Sequence, residues 1–165
     1  MDDITFAKAF IAELAAEKTA TRQCLERIPG ELFTWKPHSK SMDLGYLSLL
    51  VAEIPKWISH MVLNSSIDYA TFEHFKPQNA QDLVRHFDEN MEEAERALHS
   101  VKNGDLDSKF ELKANGQVMF STSKRQSIES TINHMVHHRG QLTVYMRLND
   151  ISVPSIYGPS ADTTF

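Results

Sequence analysis

Four stretches of this chain, each about twenty residues long, repeat apolar side chains at spacings of three and four, and that periodicity limits the fold more than any other feature. A helix turns about 100° per residue, so such spacings gather apolar side chains into one stripe that must be buried. The first stretch runs from about Ile4 to Ile28, with Phe6, Phe10, Leu14, Leu25 and Ile28 in register; Pro29 and Gly30 stop it. The second runs from about Asp43, a suitable N-cap, to Leu63 and aligns Leu47, Leu50, Ile54, Trp57, Ile58 and Met61. Pro55 lies inside it, where a missing backbone donor predicts a kink. The third, about Ala80 to Val101, aligns Leu83, Phe87, Met91, Ala94 and Leu98 opposite an acidic, solvated face. The fourth, from Ser123 to about Leu148, carries Ile128, Ile132, Met135, Leu142 and Met146, and Ser123 with Gln126 forms a capping-box pattern.

Between the third and fourth stretches the period changes from helical to alternating. In "DSKFELKANGQVMFST" Phe110 and Leu112, then Val118 and Phe120, flank Asn115-Gly116, the strongest short hairpin signal. The expectation is an all-α four-helix bundle, one domain over residues 1–165, with a short β-hairpin inserted before the last helix. The tail "ISVPSIYGPSADTTF" has no helical period and reads as an extended strap.

Composition narrows the function classes. The formal net charge is −5 with no basic stripe, so the chain lacks the electrostatic footprint of a nucleic-acid binder. No apolar run approaches the ~20 residues of a membrane span, and the N-terminus lacks a signal-peptide layout. The single cysteine, Cys24, excludes an internal disulfide and CxxC zinc patterns and reads as a small buried thiol. A reducing cytoplasm fits these features.

The chemistry concentrates in "NHMVHHRGQL". His134 and His138 are four apart, so the second imidazole is rotated by about 40° and raised one turn, and both point the same way. A divalent ion fits between two such rings, which is why zinc proteases use the same spacing. Gln141 and Tyr145 extend the line into a polar seam, whereas His137 points about 100° away. Arg139 falls within the apolar stripe, where arginine requires an ion-pair partner.

"HMVHHRGQLTVYMRLND" followed by "VPSIYGPSAD" resembles the C-terminal signature of the DinB/YfiT-like family, and "TWKPHSKSMDLGYLSLLVAEIPKW" resembles that family's second-helix region. The resemblance implies a bundle in up-down-down-up order, often a homodimer, with a divalent metal such as Zn or Ni on three histidines. It implies chemistry of an S-transferase or hydrolase type on a thiol or other small molecule. Two of those histidines fall on His134 and His138. The third position, on the second helix, is Leu50.

Leucine offers no lone pair, and a catalytic ion of this class usually has three protein ligands. Glu53 is rotated about 60° from Leu50 and His60 about 80°, so neither is a natural replacement. His38 lies in a linker; His74, His86 and His99 read as surface or boundary residues. Three readings remain open: a metal-dependent enzyme on an incomplete site, a bundle that lost its metal and serves as a binding or dimeric module, and a metal-free small-molecule cavity lined by Trp57, Tyr145 and methionines.

Overall fold

The four apolar stripes are buried against one another in a single cluster that draws on all four helices. The structure, a computed structural model, describes residues 2–163. Helix α1 spans Asp3–Leu25, α2 Leu44–Leu63, α3 Ala80–His99 and α4 Lys124–Leu148. Each begins on a side chain that accepts a free backbone N–H of the first turn: Asp2, Asp43, Asn79 and Ser123. The capping box of α4 is only half made. Ser123 accepts the Gln126 N–H, but the Gln126 side chain is taken by the Thr122 hydroxyl. Helix α2 continues through Pro55 to Leu63.

Contacts between named residues fix the helix directions. The start of α1 meets the end of α3, where Ile4 and Ala7 lie beside Leu98 and Val101, so these two helices are antiparallel. Arg125 stacks on Phe6 near the starts of α4 and α1, and Arg139 reaches Thr21 farther along both, so α1 and α4 run in parallel. On the other side Trp57 faces His134 while Met61 accepts from Thr131, so α2 opposes α4. The order is therefore up, down, down, up. The long connection from α1 to α2 packs closely at Gly45, where a Cβ would stand 2.8 Å from the Phe33 side chain.

The β structure is larger than the expected hairpin. Strands β1 (Ser66–Asp68), β2 (Lys109–Ala114) and β3 (Gln117–Ser123) form a three-stranded sheet in that order, with β1 parallel to β2. The Asn115-Gly116 turn is present, with φ of 49° and 79°. Asp68 explains why β1 joins it: its carboxylate accepts the N–H groups of Asn115 and Gly116 at 3.1 and 2.6 Å. The expected inward alternation holds only on β2, where Phe110 is buried. Val118 and Phe120 on β3 are exposed; the register shift at Leu112/Lys113 sets Phe120 opposite Leu112 but Val118 opposite Lys113, so the two do not share one face.

The tail is fastened as a strap. Arg139, 1% exposed, pairs with Glu17 at 2.5 Å, donates to Thr21 at 2.9 Å and reaches the Tyr157 hydroxyl at 2.8 Å. This is the ion pair its place in the apolar stripe requires, and it couples α1, α4 and the tail. Asp162 accepts two bonds from Arg147, closing the strap on the last turn of α4.

Candidate metal centre

The helical spacing of His134 and His138 brings their rings together as expected. Their Nε2 atoms are 2.7 Å apart and the ring centroids 4.4 Å. On the far side of the second ring, His138 Nδ1–H donates to Gln141 Oε1 at 2.7 Å. That bond selects the tautomer in which the His138 Nε2 lone pair is free, the arrangement an outer-shell carbonyl gives a metal-ligating histidine. Without an ion, the lone pair accepts the Nε2–H of His134.

The electrostatics keep both rings neutral. Burial lowers the affinity of His134 for a proton, and the neighbouring rings of His138 and His137 lower it further. Burial also lowers His138, with the Gln141 bond opposing and His137 adding to the effect. Neutral imidazoles with converging lone pairs are what a divalent ion needs. Two nitrogens bonded to one tetrahedral ion at about 2.0–2.1 Å stand roughly 3.3 Å apart, so a small opening of the pair accommodates it.

The third donor is where the chain departs from the three-histidine pattern. Leu50 is buried on α2, about 10 Å along the helix axis before Trp57. Since Trp57 faces His134 and α2 opposes α4, Leu50 comes level with Gln141, about one turn beyond His138. Among the described residues, no group of three or more histidine, cysteine, aspartate or glutamate side chains is arranged to hold a metal. The residues present therefore fit a two-point attachment and do not fit a catalytic ion held by three protein ligands.

The alternative donors are engaged elsewhere. His60 packs edge-on against Phe72, and His38 accepts from the Lys40 N–H at the surface. Cys24 is fully buried, and burial pushes its thiol up to about 11, which removes it as a thiolate. Tyr145 turns its hydroxyl to the Met42 carbonyl at 3.3 Å, away from a ligand role.

Glu53 is also engaged elsewhere, but it is not at the surface. The carboxylate is 1% exposed and sits between two histidines read from sequence as peripheral. His74 Nδ1 lies 2.5 Å from Oε2, the Phe75 N–H donates to Oε1 at 3.1 Å, and His86 Nε2 faces Oε1 at 3.6 Å. His86 is itself buried and stacks on Phe75 at 4.4 Å, which corrects its placement at the boundary. Burial acts to raise the Glu53 carboxyl, but the facing His86, the His74 bond and the Phe75 amide together hold it below its ordinary 4.5. No spacing rule finds this group, because its members come from α2, the segment after β1, and α3.

Comparison with known proteins agrees with the architecture. Over 91% of this chain and 97% of its own, a DinB-like protein from Bacillus cereus superposes with a TM-score of 0.70 at 22% identity. The DinB-like protein YjoA from Bacillus subtilis gives 0.71 at 16% identity, over 90% of this chain and 97% of its own. Identities this low speak to the fold alone. The uncharacterized protein YrdA of Bacillus subtilis (strain 168) is 55% identical over 31 residues, a match spanning 19% of each chain. A sequence profile of the DinB family matches residues 1–164, and with the bundle and strap described above this places the chain in the DinB family.

Proposed function

We propose that this chain is a divalent-metal-binding member of the DinB family with a reduced donor set, in which His134 and His138 bind Zn²⁺ or Ni²⁺ through their Nε2 atoms. The convergence of those two atoms to 2.7 Å, with Gln141 holding the outer nitrogen of His138, carries the reading. Two imidazoles hold such an ion more weakly than three, so solvent or an external donor completes the coordination. A low-molecular-weight thiol is the natural external donor, because thiolate suits Zn²⁺ and would stand in for the ligand that Leu50 does not supply. The S-transferase-like or hydrolase-like activity implied by the resemblance depends on that completion.

The buried aliphatic Leu50 favours a second reading. In it the bundle has lost its metal and acts as a binding or dimeric module, the two histidines remaining bonded to each other.

Calorimetric titration of metal-free protein with Zn²⁺ and with Ni²⁺ separates the two readings. Under the first, the natural chain binds weakly, the His134→Ala/His138→Ala variant does not bind, and an added thiol tightens the complex. Leu50→His then tightens binding on the order of a hundredfold, about 2.7 kcal/mol. Binding that survives removal of both histidines overturns the assignment. A silent natural chain with a strongly binding Leu50→His variant selects the second reading.

A further inference from the structure

Gly140 stands in the middle of α4 without a reason inside the chain. A mid-helix glycine weakens a helix relative to alanine, because its backbone has more freedom to lose. Close approach of another element justifies such a glycine, as Phe33 does at Gly45. A Cβ on Gly140, however, would meet nothing within 4 Å, and its φ is not positive.

Two apolar side chains continue the line outward. Val144 and Leu148 follow Gly140 at steps of four and are 57% and 59% exposed, so the three form one ridge, about 12 Å long, on the outer face of α4. We infer that this ridge is the contact surface for a second copy of the chain, with the two helices crossing at Val144 about a two-fold axis.

The ridge is complementary to itself. Rows of every fourth residue interdigitate at a crossing angle of about −50°, the commonest helix crossing. A two-fold axis at Val144 lays the two rows side by side in opposite directions. Each Leu148 then enters the notch that Gly140 leaves in the other copy, and the two Val144 side chains meet at the axis.

Charge selects a like copy as the occupant. The formal net charge is −5, so two chains repel one another over much of their surface, the outer face of α3 with Glu89, Glu92 and Glu95 above all. From Ser130 to Asn149 the sequence has no aspartate or glutamate. Its two arginines are already paired, Arg139 with Glu17 and Arg147 with Asp162. A second acidic copy therefore approaches here without repulsion, whereas a strongly charged partner finds no opposite charge to bind. The crossing is smaller than the ~1,600 Å² of an ordinary stable interface, so the dimer is weak, with a dissociation constant on the order of 10–100 μM.

Sedimentation velocity of metal-free protein with a chelator present, so that failure of the two-histidine reading does not affect the outcome, is expected to show this monomer–dimer equilibrium. Val144→Glu sets two carboxylates against each other at the axis and weakens association at least about tenfold with circular dichroism unaltered. Gly140→Ala separates the contact from the fold: it raises the melting temperature of dilute protein, yet weakens association several-fold by filling the notch. Cross-linking locates the axis. The single native cysteine, Cys24, is fully buried, so oxidation of Val144→Cys yields a disulfide-linked dimer, because a residue at the axis meets its own copy. Asn133→Cys, about 16 Å farther along the same face, yields none. Should Val144→Glu unfold, Gly140→Ala and the cross-links still decide. A protein monomeric at every concentration, association unchanged by a folded Val144→Glu or by Gly140→Ala, or equal cross-linking at both cysteine positions would overturn the proposal.

Discussion

His134 and His138 share one helix and, among the described residues, have no carboxylate paired with them, whereas His74 and His86 come from separate elements and close on one, Glu53. The first pair is held neutral by burial and by the neighbouring imidazoles, His137 among them, so lone pairs stay available. The second supports a buried anion. The same residue type thus gives a binding element in one place and a structural clasp in the other, and the neighbouring carboxylate makes the difference. The clasp also has a positional role. It fixes the segment between β1 and α3, which carries Phe72 and His74 into the wall of a pocket beside Trp57.

The largest test of this contrast is removal of the carboxylate. Glu53→Ala removes the acceptor of the His74 bond, frees the Phe75 N–H and opens a cavity on α2. Its cost is about 3 kcal/mol, the lower end for a broken buried pair because the His74 side chain keeps 38% of its exposure. The paired substitution His134→Ala/His138→Ala removes no charge and costs about 1 kcal/mol. Urea midpoints at constant slope measure both, and a reversed order would remove the distinction between clasp and binding element.

Acid separates the two groups by the pH at which each fails. For His134 and His138 the folded values lie below the ordinary 6.5, so their neutral forms stabilise the fold fully above that pH. Stability is then lost as the pH falls from 6.5 toward the folded values, since the unfolded chain takes up protons first. For Glu53 the folded value also lies below its ordinary 4.5, and the stability it provides is present above 4.5 and lost as the pH falls through the folded value. Thermal melts of metal-free protein should therefore show two acid limbs. His134→Gln/His138→Gln flattens the limb below 6.5, and Glu53→Gln flattens the one below 4.5. If either replacement acts on the other limb, the assignment of environments is wrong.

Local sequence carried the helices, because a stripe at spacings of three and four and caps such as Asp43 and Ser123 need no distant partner. It carried the convergence of His134 and His138 for the same reason, and the turn at Asn115-Gly116, whose positive φ values suit those residues. Strand β1 was not legible. Three residues show no alternation, and what holds them is a carboxylate reaching a distant hairpin. The exposure of Val118 and Phe120 was hidden too, since alternation identifies a strand without saying whether anything covers its face. The clasp around Glu53 needed the tertiary fold to bring its three side chains together.

His86 gives the finest division, within the clasp itself. Its Nε2 is buried, has no hydrogen-bond partner among the described residues, and stands 3.6 Å from a carboxylate oxygen that already accepts from Phe75. The ring stacks on Phe75 with planes 20° apart. Phenylalanine keeps the stacking surface and removes the unpartnered nitrogen, so His86→Phe is expected to change stability by less than about 1 kcal/mol. His74→Phe removes the bond made at 2.5 Å and costs about 1.5–3 kcal/mol, the range for a bond to a charged group. Chemical denaturation of the two variants side by side ranks the histidines: a larger loss at His86 would mean that its charge, acting across the gap, holds Glu53 more firmly than the bond from His74 does.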